Sequence, residues 1–338
     1  MNLNELAVAL GVSPASISIV RRGRAGVSPA TRRRIQQALD ENGFTYLPYT
    51  PGEVANAPKP AAQNRHILLL KYYDSGLLVN KNEGFVDSII SVIDSTIQLN
   101  DYTLVVNTVS KADFGRYLNA FVSEAWAGVL VIATEMSREE ILQLSRITVP
   151  VVILDSDYPA LPFSSVSMDN RSLAYTAVEH LSARGEVGHI VSRVPTGNFA
   201  ARESGYREAL RCLGLPLRDD MFFPVTPSLS GAYEDMRILL ASGRRVPPAL
   251  FAANDIIAIG AIKALIEAGY RVPQDTAVIG VDNTLLAQIS TPPLSSLHVS
   301  RSALGRSAIR QLLLEIEDIS LDPTQLRVAS RLILREST

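Results

Sequence analysis

"ALFAANDIIAIGAIKALIEAGYRVPQDTAVIGVDN", residues 249–283, reads as a strand, a helix and a second strand in succession. The runs at 249–253 and 277–282 are short and apolar throughout, as strands covered on both faces are. Between them Ile256 to Ala268 carries a helical pattern long enough to cross over between parallel strands. The same alternation recurs on the N-terminal side, with apolar runs at 67–73, 102–107, 128–133, 149–155 and 188–192. Helical patterns separate them over Phe85 to Leu99, Ser137 to Ile147, Ser172 to Ala183 and Ala200 to Leu213. Strand and helix repeated this often predict an α/β architecture of parallel sheets covered on both faces. Proline-marked breaks after Tyr158 and around Pro292-Pro293 divide it into two doubly wound lobes.

Doubly wound sheets bind polar ligands beyond the carboxyl ends of their strands. Here those ends carry Asp74, Asp155, Asn254, Asp255 and Asp282. Each alone reads equally well as a helix cap; together they predict a cleft that hydrogen-bonds a hydroxyl-rich molecule. Catalysis has no comparable signal: no Gly-x-Gly-x-x-Gly follows a strand, and neither a phosphate loop ending in Lys-Ser/Thr nor a Gly-x-Ser-x-Gly elbow occurs. The four histidines, His66, His180, His189 and His298, lack metal-ligand spacing, so neither a cofactor nor a metal is expected. His180 and His189 read as ordinary helix and strand positions.

The chain's 338 residues, 47% of them hydrophobic, suffice for a sizeable core, and a net charge of −2 shows no overall preference for nucleic acid. Basic charge is concentrated instead: residues 21–34 hold Arg21, Arg22, Arg24, Arg32, Arg33 and Arg34 and no acid. The lone Cys212, read as a core or boundary thiol, excludes an intramolecular disulfide and fits a reducing compartment. With no signal-peptide pattern and no apolar run of membrane-spanning length, a cytoplasmic protein is expected.

The arginines belong to a module of three short helices over residues 1–44. Asn2 and Glu5 form a capping pair before the apolar pattern Leu3, Leu6, Ala7 and Leu10, and Gly11 stops that first helix. Ser13-Pro14 starts a second helix that buries Ile17 and Val20; Ser28-Pro29 starts a third with Thr31, Ile35, Ala38 and Leu39 on one stripe. Such a helix-turn-helix presents its second helix to the major groove, where the arginines supply phosphate affinity without sequence information. Residues 45–65, with four prolines, read as a stiffened linker before a core over 66–338.

These segments together resemble the LacI/GalR transcription regulators over almost the whole chain. The resemblance is carried by "LAVALGVSPASISIVRRGRAGVSPATRRRIQQALDENGF" (6–44), "DNRSLAYTAVEHL" (169–181), "NFAARESGYREAL" (198–210), residues 249–283 and "TPPLSSLHVSRSALGRSAIRQLL" (291–313). It implies a homodimeric repressor with a core like that of type I periplasmic sugar-binding proteins. Its lobes would comprise about 66–160 with 294–322, and about 161–293 with 323–338, the chain crossing near Leu161, Pro293 and Pro323. It also implies a sugar or small-metabolite effector between the lobes, an inverted-repeat operator and no membrane partner.

Matched residue by residue, the resemblance places Asp155, Arg202, Asn254 and Asp282 at the effector, with Tyr73, Asp74 and Phe199 as further candidates. It assigns base contacts to Pro14, Ala15, Ser18 and Ile19, and phosphate contacts to Asn2, Ser13, Ser16, Arg21, Arg22, Arg24 and Arg32. Ala15 and Ile19 depart from the family's polar readers, because they offer apolar contact but no bidentate hydrogen bond. "LPYTPGEVAN" (47–56) lacks the family's Ala-Arg-x-Leu hinge pattern. A solute-binding sensor with the same core and no DNA role is the competing reading; an arginine-rich helical module at 1–44 favours the regulator.

Overall fold

The computed structural model describes residues 6, 7, 10–13, 16, 17, 20, 27–41, 65–79 and 84–338. The chain divides into two units, Met1–Gln63 and Asn64–Thr338. In the first, Leu6, Ala7, Ile17, Val20, Ile35, Ala38 and Leu39 form a small buried core, as their spacing predicts. Gly11 takes φ 64°, and the Val12 amide returns to the Ala7 carbonyl at 3.0 Å, which closes the first helical segment. Ser13 Oγ accepts from the Ser16 amide at 3.1 Å, and Ser28 Oγ from the Thr31 amide at 3.2 Å, so both serines cap helices. The second of these helices is α1 (Pro29–Glu41). The Asn2–Glu5 cap and the linker 45–64 lie outside the described residues.

The second unit holds two six-stranded sheets. In chain order the first comprises β1 (His66–Tyr73), β2 (Thr103–Ser110), β3 (Gly128–Ile132), β4 (Val151–Leu154), β5 (Ser164–Met168) and β11 (Gln325–Val328). The second comprises β6 (Val187–Ser192), β7 (Phe222–Val225), β8 (Ala249–Ala252), β9 (Ala277–Val281), β10 (Ser295–Val299) and β12 (Ser330–Ile333). Their spatial orders are β2-β1-β3-β4-β5-β11 and β7-β6-β8-β9-β10-β12, one plan used twice. All pairings are parallel except β10 with β12, an antiparallel edge. Register runs from His66 beside Thr103 to Tyr73 beside Ser110, so β1 and β2 end together at the carboxyl rim.

The helices are α2 (Phe85–Gln98), α3 (Lys111–Asn119), α4 (Arg138–Gln143), α5 (Asn170–Leu181), α6 (Gly197–Cys212), α7 (Leu229–Ala241), α8 (Asp255–Glu267), α9 (Leu285–Ile289) and α10 (Arg301–Glu317). They cover both faces of each sheet, so consecutive strand residues are buried in opposite directions: Ile67 and Leu69 enter one core, Leu68 and Leu70 another.

The lobe crossings fall later than expected near Leu161, Pro293 and Pro323. β5 still belongs to the first sheet and β10 to the second, so the chain crosses after Met168, after Val299 and between Val328 and Ser330. The prolines mark turns within a lobe. β5 reads "SSVSM" and carries no hydropathy signal, yet all five residues are buried. Ser164 Oγ accepts from the Thr324 amide at 2.8 Å and from Gln311 Nε2 at 3.2 Å, which makes burial of the hydroxyl tolerable. Cys212 is exposed and not in the core, because the inward stripe of α6 ends with Tyr206, Ala209 and Leu210.

Candidate functional site

The carboxyl ends of both sheets face one cleft. Five of the seven expected effector residues, Asp155, Phe199, Arg202, Asn254 and Asp282, line it together. Tyr73 and Asp74 do not: β1 carries them to the rim, where the Asp74 carboxylate pairs with Lys111 Nζ at 2.7 Å. Leu78, Phe85 and Val86 form an apolar wall from the first lobe, and Thr134, Thr196 and Asn198 add polar groups that the sequence reading missed. "TGNF" at 196–199 carried a usable signal, since Thr196 accepts from the Phe199 amide at 3.1 Å as the cap of α6.

Asp155 and Asp282 end β4 and β9, and each turns the chain through left-handed backbone, at φ 58° and 107°. For non-glycine residues this conformation is strained, and it persists where surrounding contacts over-determine it. Those contacts are equivalent in the two lobes: the Asp155 amide donates to Val166 O and the Asp282 amide to Leu297 O, both at 3.0 Å. Each sheet therefore continues one residue past its strand before releasing an acid into the cleft.

Arg202, 3% exposed, is the cleft's central cation. Its Nε donates to Asn170 Oδ1 at 2.8 Å, one terminal nitrogen to the Ala253 carbonyl, and the other to Met168 Sδ at 2.9 Å. Asn170 Nδ2 donates to Asn198 Oδ1 at 3.2 Å, and Asn198 Nδ2 to the Asp155 carbonyl at 3.0 Å, so the network crosses from the second lobe to the first. Burial lowers the Arg202 pKa, opposed by Asp282 and Asp155. Burial likewise pushes the Asp155 carboxyl up to about 6, opposed by a 2.7 Å hydrogen bond from Thr134 and by Arg202.

The double reading of the strand-end residues resolves differently at each. Asn254 lines the cleft and also caps α8, its Oδ1 accepting from the Ile257 amide at 2.9 Å. Asp255 is wholly buried and faces away from the cleft, accepting from the Thr284 amide at 2.7 Å and Ser296 Oγ at 2.6 Å. Arg301 is a further residue missed from sequence: it donates to the Asp282 carbonyl at 2.8 Å while its guanidinium lies 5.1 Å from the Phe85 ring. It thereby ties an acid of the second lobe to the apolar wall of the first.

In the N-terminal unit Ser13 is exposed and Ser16 half-buried. Their hydroxyls are hydrogen-bonded to each other at 2.9 Å. Arg34 donates to the Leu10 carbonyl at 3.2 Å, a contact between helical segments. Arg32 is half-buried on α1. Asn2, Pro14, Ala15, Ser18, Ile19, Arg21, Arg22 and Arg24 lie outside the described residues. Among those described, no helix is long and apolar enough to cross a membrane, and no His, Cys, Asp and Glu group is placed to hold a metal.

A periplasmic-binding-protein-like domain model matches residues 178–338. The chain is 29% identical to the HTH-type transcriptional repressor PurR of Pectobacterium carotovorum subsp. carotovorum (strain PC1), over 99% of this chain and 96% of that one. Among solved structures it is similar to the transcriptional regulator CelR in complex with cellobiose, with TM-score 0.73, 24% identity and full coverage of both chains. It is also similar to a lac repressor dimer bound to operator and the anti-inducer ONPF, with TM-score 0.71 and 22% identity over 100% of this chain and 99% of that one. The chain is thus similar end to end to transcriptional repressors, and its two-sheet core has the fold of such regulators.

Proposed function

We propose that this protein is a DNA-binding repressor whose operator affinity is set by a small polyhydroxylated effector, a sugar or sugar derivative, held between the lobes. One observation carries the effector reading: the buried network Arg202–Asn170–Asn198–Asp155 joins the two lobes at the floor of the cleft where five predicted residues meet. Oriented amides and carboxylates serve sugar hydroxyls well, because each can donate or accept in a fixed direction. The cavity left at that floor is about 30 Å³, room for about one water, whereas ligand pockets run to several hundred Å³. Binding a sugar therefore requires the lobes to part, which makes effector occupancy and lobe arrangement one equilibrium. The regulator acts as a homodimer in the cytoplasm, regulating carbohydrate genes from an inverted-repeat operator.

A thermal-shift and calorimetric screen of the full chain over mono- and disaccharides, with cellobiose among them and purine bases as a contrasting class, tests the effector. Arg202→Ala and Asp282→Ala should each abolish the response while operator binding is kept; unchanged effector affinity in both variants would sink the cleft assignment. For the DNA, Arg22→Ala should weaken specific and random binding alike and flatten the salt dependence. An altered sequence preference with an intact salt slope would contradict the phosphate role.

A further inference from the structure

A second cavity, of about 160 Å³, lies beside the cleft between the end of β6 and the first turns of α6. It shares Thr196 and Phe199 with the cleft. Its walls are largely apolar, formed by Val191, Val194, Pro195 and Phe199 among others. The polar groups around it are mostly engaged. Ser192 Oγ donates to the Val194 carbonyl at 2.9 Å and accepts from the Val194 amide at 3.0 Å. Glu203 is paired with Arg207 at 2.7 Å.

His189 differs. It is 1% exposed and lines the cavity, and its ring is held between Phe251 and Tyr206 with centroids 4.9 Å from each. Nδ1–H donates to the Phe251 carbonyl at 2.9 Å, which fixes the tautomer and leaves Nε2 as an acceptor with no partner among the described residues. Burial pushes this imidazole down to about 4, so it stays neutral at physiological pH.

We propose that this recess is a binding subsite for a single aromatic ring bearing one hydroxyl, a phenol, whose O–H donates to His189 Nε2 while the ring packs against Phe199 and the valines. The volume fits: a dry cavity of about 150 Å³ accepts benzene. The acceptor adds selectivity, since a site built to receive one hydrogen bond rejects the analogue that lacks the donor. Because Phe199 also lines the cleft, occupancy of the recess bears directly on the cleft wall.

The test uses phenol and the full-length protein without sugar, so its outcome is separate from that of the effector reading. Titration should show saturable phenol binding, about tenfold tighter than benzene. Ala200→Leu, which extends a side chain from the cavity wall, should reduce phenol affinity at least about tenfold. His189→Phe keeps the aromatic stack and should remove the preference for phenol over benzene. Wild-type protein that binds no phenol, or binds phenol and benzene equally, overturns the proposal, as does binding unchanged in folded Ala200→Leu. If either variant fails to fold, fluorine NMR of 4-fluorophenol against fluorobenzene on the wild type decides: selective broadening of the phenol supports the subsite, and equal or absent broadening refutes it.

Discussion

In the first lobe the loop after β1 is fastened by a residue some 60 positions on: Glu135, 6% exposed, accepts from the amides of Asp74, Ser75, Gly76, Leu78 and Val79 and from the Ser75 hydroxyl. α2, which follows, starts at Gly84 with no side-chain cap. In the second lobe the corresponding loop, after β6, is finished locally by Thr196, whose hydroxyl caps α6. There the buried acid after the third strand in sheet order, Asp255, reaches the other way, to Thr284 and Ser296 beyond β9. One topology thus carries two fastenings. The first-lobe wall of the cleft, Leu78, Phe85 and Val86, depends on a distant carboxylate; the second-lobe wall is set by its own helix start.

The comparison breaks most readily at Glu135. Glu135→Ala leaves a buried run of amides without acceptors and should cost about 3–5 kcal/mol. Hydrogen exchange at residues 74–79 should rise while that at 196–199 stays unchanged; continued protection of 74–79 would show that the loop holds without the clamp. Next is Gly205, where an added Cβ would lie 2.1 Å from the Arg171 carbonyl oxygen. Gly205→Ala should push α6 off α5 at about 2–3 kcal/mol and weaken effector binding through Phe199 and Arg202, as denaturant melts and calorimetry would record.

Asp155, the first-lobe acid that meets Asn198, sharpens the comparison through pH. Its folded value, about 6, lies above the ordinary 3.8, so the folded chain retains a proton that the unfolded chain releases. The resulting stability is full below about pH 4 and is lost as pH rises through about 6. It amounts to about 3 kcal/mol at about 1.4 kcal/mol per unit. Urea melts of Asp155→Asn should be flatter than wild type across that window; identical slopes would remove the assignment. The smallest effect is at Thr196: Thr196→Ala should cost about 1 kcal/mol and loosen only the first turn of α6. A loss as large as that at Glu135 would erase the difference between the lobes.

Much of this was legible in the chain itself. Strand and helix alternation, the caps at Ser13 and Ser28, the stop at Gly11 and the strand-end positions of Asp155, Asn254 and Asp282 follow from side-chain period and from hydrogen bonds spanning a few residues. Such information is local and survives without knowledge of the fold. Tertiary structure decided what hydropathy does not record. Ser-rich β5 is a fully buried strand because Thr324 and Gln311 reach its hydroxyl. It also decided that Asp155 and Asp282 face the cleft while Asp255 turns away, and that Glu135 and Arg301 support the walls. Burial of a polar side chain depends on partners tens to more than a hundred positions distant, and only the folded chain brings those partners within hydrogen-bonding reach.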